Sequence, residues 1–327
     1  MNGWLKRLAG AIGMGLGLAL AAGGAAAQGY PAQPVRWIVP YAAGGGTDNL
    51  ARTLGEAMQA SLGQSIVIEN RPGASTNIGV AALLQSKPDG YTIMQAENAA
   101  LLFNEHLFAK LPYKPDTDFT YIGAIGRFPV ALVVHPSFPA KTVAEYVAYV
   151  KANPDKVNYA SPGNGSPHHM AMELLKQRAG IQMQHVPYKG AAPALQDLLA
   201  GQIPTMMLDL PGGLQAMKAG SVRVLAVANP KRVPSLPDVP TFVESGFADV
   251  NAAAFHGLIG PAGLPAEVVS RLNGELHKAM QAPKVVKLFG DFGMEPLPGT
   301  PAEFRSMSRA EAGRWGSVIR ATGVKLD

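Results

Sequence analysis

Two stretches of this chain share one order of parts: "VPYAAGGGTDNLARTL" from Val39 and "VPYKGAAPALQDLL" from Val186. Each runs from an apolar strand through Pro-Tyr and small residues into a helix with apolar residues at helical spacing. Strands alternating with helices of this length specify βαβ units and a parallel sheet. Ligands of open α/β sheets bind outside the carboxyl ends of the strands, so two such turns facing each other would form a cleft between two lobes. A chance match of the tripeptide is the alternative.

The triple glycine lies in the strand-to-helix turn, since "VRWIV" precedes it and Leu50, Leu54, Ala57, Met58 and Leu62 follow. Glycine permits close approach of the backbone to a ligand. The helix N-terminus beyond it offers free N–H groups and a partial positive charge, which suits an anion. Nucleotide motifs fail here: no Gly-Lys dipeptide occurs in the chain, and G-x-G-x-x-G counted from Gly44 ends on Asn49. Packing alone would also explain a glycine-rich turn.

With 327 residues the chain can build two domains with real cores. It opens with Lys6, Arg7, an apolar Gly/Ala stretch and Ala25-Ala26-Ala27, the pattern of a cleaved secretory signal (1–27) that leaves a mature chain from near Gln28. There is no cysteine, hence no disulfide, thiol nucleophile or lipid-attachment site, which fits a soluble periplasmic protein. The formal net charge of +5 is spread along the chain without a basic run, so no nucleic-acid partner is expected.

Further strands are expected at "SIVIEN" and "YTIMQA" (91–96), with "NIGVAALLQSK" as a helix between them. The apolar run "IGAIGRFPVALVVHP" leads into a second α/β unit, and the proline-rich segment 229–242 reads as a return linker. The expected division is lobe one at 28–124 and 234–327 and lobe two, inserted, at 125–233. Crossovers near 122–135 and 228–240 would absorb a closing rotation.

The ordered stretches "YPAQPVRWIVPYAAGGGTDNLAR", "IENRPGASTNIG", "LPYKPDTDFTYIG", "NPDKVNYASPGNGSPHHMAMEL", "VPYKGAAPALQDLLAGQI" and "SLPDVPTFVESG" cover nearly the whole mature chain. The chain resembles the substrate-binding proteins of tripartite tricarboxylate transporters, the Bug/TctC family. The resemblance implies a two-lobed type II periplasmic binding protein that closes on a small carboxylate. It also implies a monomer that docks transiently on membrane permease subunits and uses no cofactor or metal. Carried over by position, it marks Tyr41, Ala42, Ala43, Gly44, Gly45 and Asp48 as the first-lobe clamp, with Asp48 capping N–H groups or ordering the loop. From the second lobe it marks Ser161, Gly165, Ser166 and His169, then Tyr188 of the "YKG" match. Ser166 could equally be a helix N-cap. His168 and His169 are about 100° apart on a helix, so both cannot face one ligand.

Four positions depart from the family pattern: Glu97 and Asn98 stand where small hydroxyl residues are usual, Asp209 is displaced, and Arg127 is untypical. Glu97 follows a strand expected to end at the cleft; the alternative is that it turns to solvent or caps the helix beginning near Ala99. If it faces the ligand, a second carboxylate ~4 Å away would be repelled by about 4 kcal/mol at an effective dielectric of ~20. That favours an amino acid, a hydroxy acid or a protonated ring nitrogen over citrate-like polyanions, unless Arg127 neutralises the site. The rival readings are a sensor subunit of the same fold and an exported hydrolase. The chain has neither G-x-S-x-G nor H-E-x-x-H, which argues against an enzyme.

Overall fold

The computed structural model describes residues 29–154 and 156–326. The expected signal segment therefore lies outside the described residues. The first unit is β1 (Val35–Val39), α1 (Gly46–Leu62), β2 (Ile66–Asn70), α2 (Asn77–Leu84) and β3 (Thr92–Glu97). β1 pairs in parallel with both β2 and β3. Val35, Trp37, Ile38 and Val39 are all buried, the signature of a parallel strand covered on both faces. α1 buries Leu50, Leu54, Met58 and Leu62, and ends on Gly63 in the left-handed conformation (φ 73°), whose N–H satisfies the Gln59 carbonyl.

β4 (Phe119–Val134) is a single 16-residue strand. From Phe119 to Pro129 it pairs with β9 (Ala253–Pro261), and from Val130 to Val134 it pairs with β7 (Thr205–Asp209). One strand thus belongs to two sheets, and the change of partner falls between Pro129 and Val130. A proline, which cannot donate to a ladder, is tolerated where the ladder itself changes. This seam lies a few residues past the boundary expected at 124/125.

The second sheet adds β5 (Asn158–Ser161), β6 (Gln184–Pro187) and β8 (Arg223–Val227), with helices α3 (Val143–Ala152), α4 (Pro167–Ala179), α5 (Ala191–Leu199) and α6 (Leu210–Lys218) between its strands. The strand order through both lobes is β2-β1-β3-β9-β4-β7-β5-β6. Segment 229–242 does not leave the second lobe. Val227 N–H donates to the Pro240 carbonyl and Phe242 N–H to the Val227 carbonyl, so the chain re-enters the first sheet only at Ala253. The remaining elements, α7 (Ala266–Met280), α8 (Pro283–Asp291), β10 (Glu295–Pro296) and α9 (Pro301–Thr322), complete the first lobe. α9 opens with a capping box between Thr300 and Glu303 and packs Trp315 on Phe103, ring centroids 5.0 Å apart.

β3 runs one residue beyond the stretch expected for it and takes in Glu97, because Glu97 is in register with His256 of the antiparallel β9. That extension puts a buried carboxyl between the lobes.

Candidate functional site

The two similar sequence units meet across the cleft. Ala42 N–H donates to the Lys189 carbonyl at 3.0 Å, and a Cβ placed on Gly45 would lie 3.6 Å from the Ala191 Cβ. Gly44 has φ +85°, so glycine is needed there for conformation. Gly46 is needed for space: a Cβ on it would lie 2.1 Å from Asp209 Oδ1 of the opposite lobe.

Asp48 shapes this turn from beneath. Its carboxylate, 2% exposed, accepts from Gly44 N–H (2.9 Å), Arg52 Nε (2.9 Å) and Asn70 Nδ2 (2.8 Å). These donors hold its pKa below the usual carboxylate range against the cost of burial. Ala43 and Gly44 are exposed on the turn, and Ala42 is committed through its backbone to Lys189.

The second-lobe loop is likewise tied down by its own side chains. Ser166 is the N-cap of α4, accepting from His169 N–H at 3.2 Å. Gly165 (φ +68°) donates its N–H to His169 Nδ1 at 3.0 Å. Ser161 Oγ accepts from Gly163 N–H and contacts His185 Nε2 at 2.7 Å. The rings of His169 and His185 stack with centroids 3.9 Å apart, and burial lowers both pKa values to about 3, so both are neutral. Ser161, Ser166 and His169 therefore support the loop. His168, the neighbour, is the one that lines the cleft.

Two neighbouring cavities lie between the lobes. The outer one, about 360 Å³, is bordered by Tyr41, Gly73–Thr76, Pro162–Asn164 and Tyr188–Lys189. The inner one, about 10 Å³, has room for a single water-sized group and is walled by Tyr41, Gly46, Glu97, His168, Asp209 and His256. Tyr41 and Pro162 border both.

Glu97 is 1% exposed. Its Oε1 accepts from Tyr41 Oη (2.8 Å) and Ala99 N–H (3.0 Å), whereas Oε2 has no partner. Burial raises its pKa to about 7, since two donors offset only part of the desolvation. On the facing wall Asp209 caps α6, accepting from Gly212 N–H at 2.6 Å, and its other oxygen lies 3.0 Å from His168 Nε2. Tyr188 borders the outer cavity with its hydroxyl donated to Asp197 at 2.6 Å.

One expected site residue, Asn98, and Arg127, the charge that could have neutralised the site, face elsewhere. Asn98 is pinned to the backbone of β9, donating to the Ala253 carbonyl (3.2 Å) and accepting from Phe255 N–H (2.7 Å). Arg127 forms a two-point ion pair with Glu295 at 2.7 and 3.2 Å and, like Asn98, borders a separate cavity, so it does not neutralise Glu97.

Sequence reasoning missed His256 and the turn Ala74–Thr76. All three turn residues have positive φ (47°, 52° and 72°), a strained state for residues with a Cβ and a true outlier for Thr76. Asn104 Nδ2 holds the turn by donating to the Ser75 carbonyl at 2.8 Å, and the buried Thr76 hydroxyl has no partner. Strain kept in place by tertiary contacts beside a cavity makes this turn a candidate binding surface.

With this geometry in view, the comparisons with known proteins are specific. The family model of the tripartite tricarboxylate transporter family receptor matches residues 50–324. Protein BugT of Bordetella pertussis is 34% identical over 323 residues, spanning 98% of this chain and 99% of that one. Among solved structures, the periplasmic binding protein BugD superposes with a TM-score of 0.88 at 34% identity, over 91% of this chain and 100% of that one. Rpa4515 of R. palustris with adipate gives 0.87 at 33% identity over 90% and 99%, and MatC of Rhodopseudomonas palustris with bound malate gives 0.85 at 32% over 89% and 100%. No helix among the described residues is long and apolar enough to cross a membrane. Two α/β lobes around a polar cleft, shared with periplasmic binding proteins over nearly the whole chain, place it as a solute-binding protein that belongs to the tripartite tricarboxylate transporter receptor family.

Proposed function

We propose that this chain is exported through its first 27 residues, captures a small carboxylate between its lobes and delivers it to the permease subunits of a tripartite transporter, without catalysing a reaction. The observation that carries this reading is the meeting of two strand-turn-helix units, bridged from Ala42 N–H to the Lys189 carbonyl, over a buried polar cavity. The turn at 41–46 and the loop at 161–166 bring helix N-termini to the cleft, where the helix dipoles favour an anion. The relatives crystallised with adipate and malate support a carboxylate as that anion.

The inner cavity admits one water-sized group, so a solute enters after the lobes part. The partner change of β4 at Pro129 and the return before Ala253 are the two places where one lobe can turn against the other. Calorimetry and thermal shift with a panel of carboxylates test the reading. A ligand at 100 times its Kd should add about 2.7 kcal/mol of stability, and scattering should show a more compact molecule with ligand. A panel in which no carboxylate binds would refute it.

A further inference from the structure

The first-lobe wall of the inner cavity carries two buried polar atoms that no protein group pairs: Glu97 Oε2 and His256 Nε2. Their residues are each 1% exposed and are register partners on β3 and β9, so both side chains leave the same face of the sheet with Cβ atoms ~5 Å apart. The remaining atoms of each are fixed. Glu97 Oε1 accepts from Tyr41 and Ala99, and Gln95 Nε2 approaches His256 Nδ1 at 3.2 Å. With the Gln95 amide nitrogen turned to the ring, Nδ1 accepts and the single proton of this neutral ring is on Nε2. Above about pH 7, where Glu97 is ionised, the wall thus offers one carboxylate acceptor beside one N–H donor.

The complement of such a pair is a group that donates and accepts through one atom. A hydroxyl does both. An ammonium only donates and would meet the Nε2 proton, and a carboxylate only accepts and would meet Glu97. Size agrees with this: the inner cavity holds one group no larger than a water, while the outer cavity, reached past Tyr41 and Pro162, has room for a carbon skeleton and its carboxylate.

We propose that Glu97 and His256 form a subsite that reads a hydroxyl on the bound molecule, so the preferred ligand is a small hydroxycarboxylate. This rests on the reading of the cleft as a carboxylate site. It makes Glu97 a specificity residue and gives a role to His256, which sequence motifs do not mark.

The test is calorimetry on the full mature chain with matched pairs, malate against succinate and lactate against propionate, with alanine as the ammonium counterpart of lactate. A site built to bond a hydroxyl rejects the analogue that lacks it, so the hydroxylated member of a pair should bind at least ~30-fold tighter. Glu97→Gln retains an acceptor for Tyr41 and Ala99 but replaces the free acceptor by a donor. His256→Phe retains the ring stacked on Phe128 at 4.8 Å but removes Nε2. Each variant, its melting temperature checked first, should bring the pair ratio to within ~3-fold, and either one that folds suffices. A wild-type ratio near one, a ratio that survives in a folded variant, or alanine binding more tightly than lactate would overturn the proposal while leaving the carboxylate reading standing. Failure of both members of every pair, with every other carboxylate also silent, would overturn both.

Discussion

The chain buries two polar clusters of similar composition, and they differ in what is left over. Behind the second-lobe loop, His169 and His185 stack while Tyr159 Oη (2.5 Å) and Lys176 Nζ (2.6 Å) converge on Glu173. Among the described residues, none of these five has a buried side-chain atom without a partner. In the cleft, by contrast, Glu97, His168 and His256 each keep one such atom. An unpaired buried polar atom costs about 1–3 kcal/mol, so a cluster that retains three is organised around something other than its own stability. Burial and residue type do not distinguish these two clusters; the unpaired atoms do.

The largest effect expected from this contrast is in acid. Burial lowers the pKa of His169, His185 and His256 to about 3 in the folded protein, against about 6.5 when unfolded. A histidine with a lowered folded pKa contributes stability that is complete above about pH 6.5 and lost as pH falls toward its folded value. Each unit of pH lost in that window costs about 1.4 kcal/mol per histidine, so three together should remove several kcal/mol by about pH 5, a large part of a typical domain's stability. Thermal melts between pH 8 and 4.5 check this. His169→Gln should be destabilised at pH 8 yet flatter in acid, and a wild-type melt independent of pH would break the assignment of these rings as neutral.

Glu97 works in the opposite sense. Its folded pKa is raised to about 7 from an ordinary 4.5, so the stability associated with its protonated form is lost as pH rises from 4.5 to 7. At pH 8 the ionised, half-satisfied carboxylate should cost the fold up to about 3 kcal/mol. Glu97→Gln is then expected to raise the melting temperature at pH 8, by an amount that fades toward pH 5, while ligand discrimination is lost. A stabilised but indiscriminate variant is what a functional cluster predicts. A destabilised one would move Glu97 into the scaffold class.

How much of this was legible in the sequence follows from how local each feature is. The strand-turn-helix units, the bonds of Asp48 to Gly44 and Arg52, and the N-cap of Ser166 are each set by residues within a few positions of one another, so spacing and capping chemistry point to them, whereas the Asn70 bond to Asp48 spans 22 residues and is not read that way. Glu97 could be placed at a strand end, but its partner His256 sits in an apolar run far along the chain, and only the register of β3 on β9 joins them. His168 and His169 are consecutive, and which one turns to the cleft is decided by the docking of α4 on its sheet. The strained turn at Ala74–Thr76 is the least legible, because Ala, Ser and Thr all disfavour positive φ and tertiary contacts impose it.

Next in size is an effect on closure. Gly46→Ala places a methyl carbon where Asp209 Oδ1 of the other lobe lies 2.1 Å away, yet the residue has an ordinary φ and stands at the start of α1. The lobes should fold and fail to close. Affinity for every carboxylate should fall at least ~100-fold, about 2.7 kcal/mol, with little change in melting temperature. Scattering of the variant should be the same with and without ligand. Wild-type affinity here would mean that the contact between Gly46 and Asp209 is not part of the binding state.

The smallest effect concerns Arg127, a charge near the cleft in sequence yet outside both clusters. Its guanidinium holds Glu295 by two bonds, and the two side chains are 44% and 57% exposed. Exposed pairs contribute about 1 kcal/mol or less, because water screens the attraction and ordering two long side chains offsets much of it. Arg127→Ala should therefore lower stability by less than about 1 kcal/mol, and less again in high salt. Because Arg127 turns toward Glu295 and borders a separate cavity, affinities for malate and succinate should change by less than ~2-fold, and in the same direction. A selective loss of succinate binding would show that this charge reaches the cleft after all and offsets Glu97, and the boundary between site and scaffold would then have to be redrawn around it.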